Sequence, residues 1–169
     1  MLARIVSGGQ TGVDRAALDF AIATGIEYGG WCPLGGWAED HPKPPGVLVA
    51  YPRLAETPGR DPEQRTSWNV RDADATLIVT GRHVGSPGTE RALSVARELG
   101  RPHAIVETAD PAAVSAVERF LAPFDGDVIL NVAGPRETEA PGIYTEAGEL
   151  LRRWHTAQAW RISGGICAT

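Results

Sequence analysis

Apolar and polar positions along this chain follow two periods that keep trading places. Short runs of aliphatic and β-branched residues alternate with stretches in which apolar residues recur every three or four positions. Residues 3–7 form the first run and predict a strand. Residues 12–24 place Ala17, Leu18, Ala21 and Ile22 on one helical face, and Gly25 marks the stop. Ile26 to Trp31 predicts a short second strand. Cys32 to Pro45 predicts a loop, because Pro33, Gly35, Gly36, Pro42, Pro44 and Pro45 forbid a regular element. Val47 to Tyr51 reads as a short strand or an extended segment. Asp61-Pro62-Glu63 reads as an N-cap followed by Pro at the first helical position, opening a helix to about Arg71. Ala75 to Val79 is a continuous apolar and β-branched run, the pattern of a strand buried on both faces. A glycine-bearing turn, Gly81 to Gly88, then leads into a helix from Thr89 to Leu99, closed by Gly100. His103 to Val106 predicts a strand. Pro111 to Leu121 predicts a helix capped by Asp110, Val128 to Val132 a strand, and residues 142–158 the last helix.

This alternation predicts an α/β, three-layer fold: a mainly parallel central sheet with helices on both faces. Residues 1–160 read as a single domain and residues 161–169 as a tail. The 169 residues suffice for one domain with a real core. Gly 20 and Pro 13 make up about a fifth of the chain and cluster in turns, so many loops should surround the sheet. The net charge of −5 disfavours a protein that lives on nucleic-acid backbone contacts. No apolar run approaches the roughly 18 residues of a membrane span. The chain opens directly on a strand, so no signal peptide is expected. Two cysteines, Cys32 and Cys167, fit a reducing cytoplasm rather than a disulfide framework.

In parallel α/β sheets ligands bind at the carboxyl ends of the strands, and three strands here end in conspicuous loops. Ser7-Gly8-Gly9-Gln10-Thr11-Gly12-Val13-Asp14-Arg15 joins the first strand to the first helix. Its glycines let the backbone approach a ligand closely, and the helix start offers free N–H groups to an anion, most often a phosphate. No Lys-Ser or Lys-Thr pair closes the loop, and its glycines do not follow G-x-G-x-x-G, so neither common nucleotide fingerprint applies. Gly85-Ser86-Pro87-Gly88-Thr89-Glu90 opens a second helix with N–H groups, two hydroxyls and a carboxylate. Asn131-Val132-Ala133-Gly134-Pro135-Arg136-Glu137 ends the last strand. There Arg136 suits bidentate contact with a phosphate, and Asn131 suits a ring edge. Candidate ligand-binding residues are therefore Gly8, Gly9, Gln10, Thr11, Gly12, Arg15, Gly85, Ser86, Gly88, Thr89, Glu90, Asn131, Gly134 and Arg136. Each loop also has a plain structural reading as a turn or a helix cap.

Arg65, Asn69 and Asp72 share one face of the second predicted helix, where exposed ion pairing is the default reading. Cys32 reads as buried, since no histidine is clearly paired with it. The four histidines show no ligand spacing, so no metal held by protein side chains is expected.

Five stretches now stand out together. They are residues 7–21, Gly-Gly-Trp-Cys-Pro at 29–33, Ala-Glu-Asp at 38–40, Arg-Thr-x-x-Asn-Val-x-Asp-x-Asp-x-Thr at 65–76, and Leu-Asn-Val-Ala-Gly-Pro-Arg-Glu at 130–137. In this order they resemble the putative molybdenum carrier proteins, the circularly permuted YpsA-type branch of the SLOG superfamily, over roughly residues 3–155. The resemblance implies a Rossmann-like fold. It implies a protein that binds and protects molybdenum cofactor, a phosphorylated pterin whose dithiolene holds the metal, so that the protein itself needs no Cys/His cluster. Molybdoenzymes would be recipients, and a homodimer or homotetramer would be the assembly. Two departures concern the site: Ser86-Pro87 stands in the second glycine loop, where Pro87 removes an N–H donor, and Gly35-Gly36-Trp37 stands where the family has a basic residue. Two alternatives stay open. One is a nucleoside monophosphate phosphoribohydrolase like the lonely-guy proteins, with Glu90 or Asp14 as the acid–base group. The other is a non-catalytic nucleotide-sensing module.

Overall fold

The computed structural model describes residues 2–82 and 86–162, the last four of them by backbone alone. Its elements are β1 (Leu2–Val6), α1 (Val13–Thr24), β2 (Glu27–Gly29), β3 (Trp31–Cys32), β4 (Ala55–Glu56), α2 (Pro62–Arg71), β5 (Ala75–Thr80), α3 (Pro87–Glu98), β6 (His103–Glu107), α4 (Ala113–Leu121), β7 (Val128–Ala133) and α5 (Ile143–Ile162). Five strands form the main sheet in the order β2-β1-β7-β5-β6. Every pairing in it is parallel, so every strand sends its following loop to the same end.

The period-2 pattern of β5 sorts the two faces. Leu77 and Val79 point to one side with Ile5, Leu130 and Val132, where α1, α4 and α5 bring Phe20, Val117, Leu150, Leu151 and Trp154. Ile78 points to the other side with Ala133, where α2 and α3 bring Val70, Ala92, Val95 and Ala96. Three layers result, as the alternation of the sequence requires.

Four local readings differ from what the pattern predicts. The stretch 26–31 is not one strand. Gly30, with φ 124°, turns the chain out of the main sheet, and a side chain there would strike the Ser7 backbone and the Asn69 amide. The chain continues as β3, which pairs with β4 in a separate two-stranded sheet. Val47 to Tyr51 is not extended either, because Gly46–Val49 coil into a 3₁₀ turn. That turn buries Val47 with Leu18, Cys32, Ala38, Tyr51 and Leu54 in a satellite core. Full burial of Val47 and of Leu54 contributes on the order of 2 kcal/mol each, which fixes the 33–59 excursion against α1. Helix α3 begins two residues earlier than predicted, with Ser86 as N-cap accepting the Thr89 N–H at 3.2 Å. Helix α4 begins after Ala112, with the Asp110 carboxylate accepting the Ala112 N–H just outside it.

The Asp61 cap of α2 stands where the sequence places it, accepting the Glu63 N–H at 2.9 Å. Helix α3 closes as its sequence dictates: Gly100, at φ 60°, donates to the Arg97 carbonyl while Arg101 donates to that of Ala96. No helix among the described residues is long and apolar enough to cross a membrane.

Candidate functional site

The loops after β1, β7 and β5 leave three adjacent strands, so the sheet order brings them side by side. The opening turn is packed from within. A side chain on Gly8 would land on the Arg65 guanidinium and within 2.8 Å of the Asp14 carboxylate. Gly9 lies 2.9 Å, in the same sense, from Leu54 of the satellite core. Gly12, with φ 75°, lets the third loop cross directly over it at Pro135, Arg136 and Glu137. The Pro135 carbonyl accepts the Val13 N–H at 3.3 Å, so the third loop caps α1. A carboxylate already stands beside this turn. Glu39 accepts from the Thr11 hydroxyl, and from the Thr138 hydroxyl at 2.8 Å, while its N–H donates to the Gln10 side chain at 3.0 Å.

Arg65 differs from its reading as an exposed ion pair. Its side chain is 11% exposed, and it donates to the Asp14 carboxylate, 4% exposed, at 2.8 Å. Asp14 also accepts the Gln10 N–H at 3.4 Å. Asn69 is buried as well and clamps β3, accepting from the Trp31 N–H at 2.7 Å and donating to its carbonyl at 3.1 Å. Asp72 alone of the three matches the surface reading, paired with Arg71.

The receptive surface lies between the other parts. A cleft of about 240 Å³ is lined by Gln10 of the first loop, by Ser86, Pro87 and Gly88 at the start of α3, and by Gly134 and Arg136 of the third loop. Asp61, the cap of α2, and Pro62, Glu63, Arg65 and Thr66 in its first turns, together with Arg91 and Glu139, complete it. Gly88 is the glycine here whose missing side chain faces open space, with nothing within 4 Å. The Arg136 guanidinium forms no ion pair among the described residues and rests 5.8 Å from the centre of the Trp37 ring. The cleft lining carries both signs of charge, with Arg65, Arg91 and Arg136 beside Asp61, Glu63 and Glu139.

The remaining candidates are placed elsewhere. Arg15 grips Asp40 with two nitrogens at 3.0 and 2.9 Å and the Gly9 carbonyl at 3.2 Å, and it lines a separate depression with Thr11, Gly12, Tyr51 and Tyr144. Burial opposes the charge on Asp40, but the hydrogen bonds from Arg15 and His41 outweigh it and hold the carboxyl at about 2. Asn131 lies within β7, as its predicted strand has it, buried, with its amide 3.3 Å from the Thr76 hydroxyl. Thr89 is buried against the Ser86 hydroxyl at 2.8 Å. Glu90 is exposed on the first turn of α3 and is not part of the cleft wall. Gly85 lies outside the described residues. Cys32 is fully buried, and burial, then the nearby Glu56, push its thiol up to about 11, so it is a packing residue and not a nucleophile. Among the described residues no group of three His, Cys, Asp or Glu is arranged to hold a metal ion.

Sequence reasoning missed Arg65 as a buried partner, and it missed Arg91 and Glu139 as parts of the cleft. Arg91 was within reach of helical spacing, since it stands four residues after Pro87, once the helix is started at Pro87 instead of Thr89.

No curated protein matches the chain. Among solved structures it is similar to the crystal structure of a putative molybdenum carrier protein from Syntrophus aciditrophicus SB. The two are 35% identical, with a TM-score of 0.81, over 90% of this chain and 94% of that one. The model of the circularly permutated YpsA SLOG family matches residues 5–155, and it is to this family that the chain belongs.

Proposed function

We propose that the protein is a carrier for molybdenum cofactor and holds the phosphorylated pterin by its phosphate in the cleft at the start of α3. The observation that carries this reading is the convergence of Gln10, Ser86 to Gly88, Gly134 and Arg136 on one cleft, with the Arg136 guanidinium in no ion pair among the described residues. The first N–H groups of α3 and its dipole favour an anion there. Such local donors are necessary, because a chain of net charge −5 repels an anion at long range. The dithiolene of the cofactor ligates molybdenum, so the protein need only bind the organic part and exclude water from it. The name of the Syntrophus protein supports cargo of this kind.

A hydrolase of nucleoside monophosphates would need a free carboxylate facing the bound sugar. Asp14 is held by Arg65 and the Gln10 N–H, and Glu90 stands away from the cleft, so the geometry favours holding over cleaving. The test is to incubate the purified protein with molybdenum cofactor without oxygen, and separately with nucleoside monophosphates. A stoichiometric complex that slows cofactor oxidation is the expected result. Release of free base from a nucleotide, lost in Glu90→Ala, would overturn the carrier reading.

A further inference from the structure

We infer that Arg91, which belongs to none of the three strand-end loops, binds the ligand, and that the group it meets is a dianionic phosphomonoester. The inference rests on the cleft being the ligand site. It adds a second arm to that site and a chemical class for what enters it.

Arg91 stands one turn into α3, so its guanidinium lies on the side of the cleft formed by the helix start. Its present partners hold it loosely. One terminal nitrogen donates to the Ser67 hydroxyl at 3.1 Å. Its Nε is 3.9 Å from the Glu63 carboxylate, too far for a hydrogen bond. That Nε is buried and has no hydrogen-bond partner among the described residues. A buried donor without an acceptor is a standing cost that native proteins rarely keep, and a ligand oxygen is one thing that removes it. Glu63, an exposed carboxylate at the start of α2, faces Arg91 only at long range.

Arg136 supplies a second guanidinium from the third loop. Arg65 also has a buried Nε without a hydrogen-bond partner among the described residues, but its charge is balanced by Asp14 at 2.8 Å, so Arg91 and Arg136 are the pair left to balance an incoming charge. Two guanidiniums and a helix N-terminus match the two charges and three free oxygens of a phosphate ester. A cleft of about 240 Å³ has room for a phosphate and for the carbons that carry it.

Titration calorimetry with inorganic phosphate, with adenosine monophosphate, with its methyl diester, and with molybdenum cofactor under anoxia tests this. The proteins are wild type, Arg91→Gln, Arg91→Lys and, as a control on the same helix, Arg97→Gln. Arg91→Gln should weaken binding of the monoesters at least tenfold, Arg91→Lys should restore part of it, and Arg97→Gln should change nothing. The wild type should prefer the monoester to the diester, and Arg91→Gln should lose that preference, which a merely structural role would not affect. Equal affinities in wild type and Arg91→Gln, an equal loss in Arg97→Gln, or an unchanged preference in Arg91→Gln would overturn the inference. Binding of molybdenum cofactor that ignores Arg91 would sink it and leave the carrier reading standing. Arg91-dependent binding of adenosine monophosphate without any binding of molybdenum cofactor would do the reverse. Binding of no probe would overturn both.

Discussion

At the end of β1 every glycine of the turn is hemmed in by the protein itself, whereas at the start of α3 Gly88 opens onto empty space. Both junctions are strand, glycine, helix, and by pattern they are interchangeable. Gly8 makes room for the Arg65–Asp14 pair, and Gly12 makes room for the loop that carries Pro135. Gly88 makes room for nothing among the described residues. A glycine at a helix start thus marks close approach, but the approaching partner is the protein in one case and is left open in the other. Only the tertiary structure distinguishes them.

The sharpest break in that comparison comes from the buried pair. Asp14→Ala should leave the Arg65 charge without its partner and cost about 3 to 5 kcal/mol, read from denaturant unfolding. A loss near zero would mean that Arg65 is free to serve the cleft and that the two junctions are alike. Next come paired glycine substitutions. Gly12→Ala forces a side chain onto a φ of 75° and into the third loop, and should cost roughly 2 to 4 kcal/mol in the same measurement. Gly88→Ala should leave stability unchanged or raise it by under about 1 kcal/mol, while weakening ligand binding.

For Arg136→Gln, affinity for a phosphorylated ligand should fall on the order of tenfold to a hundredfold with an unchanged melting temperature, as for loss of a charge-assisted hydrogen bond. The smallest effect concerns Asp40, whose pairing with Arg15 ties the 33–46 loop to α1. Its carboxyl is depressed from 3.8 to about 2. Its contribution should be complete above pH 4 and lost as pH falls from about 4 to 2. With its side chain 39% exposed, the contribution is under about 1 kcal/mol, and the stability difference between wild type and Asp40→Asn should vanish below pH 2.

The layers of the fold were legible because β5 and β7 carry long apolar runs and α1 and α3 end at glycines in left-handed conformation or next to one. Such signals are local. The 3₁₀ turn at Gly46–Val49 was not legible, because a five-residue apolar run has the same pattern whether it extends or coils, and its burial against Leu18 and Leu54 decides. The candidate site was legible as three loops on one sheet end. Its inner partition was not. Arg65 and Asp14 are 51 positions apart, and Thr11 and Glu39 are 28 apart. Nothing in either segment announces the other. Asn131 falls in the predicted strand and in β7 alike, and a single polar residue persists there because the neighbouring strand offers the Thr76 hydroxyl, which the sequence of β7 does not show.

The position of β7 bears on how the chain assembles. Among the described residues it is the last strand of the sheet to be made, yet it sits between β1 and β5 in the middle. During synthesis the β2–β1 wing and the β5–β6 wing have no mutual pairing until residues 128–133 leave the ribosome. Both wings then carry an open edge and uncovered apolar residues for most of translation. Closure joins partners more than 120 positions apart, Val6 with Asn131 among them, so the entropic cost falls late and on a single step. A nascent chain that stalls before Val128 therefore presents two unpaired parallel edges at once, and is the species of this protein most exposed to aggregation.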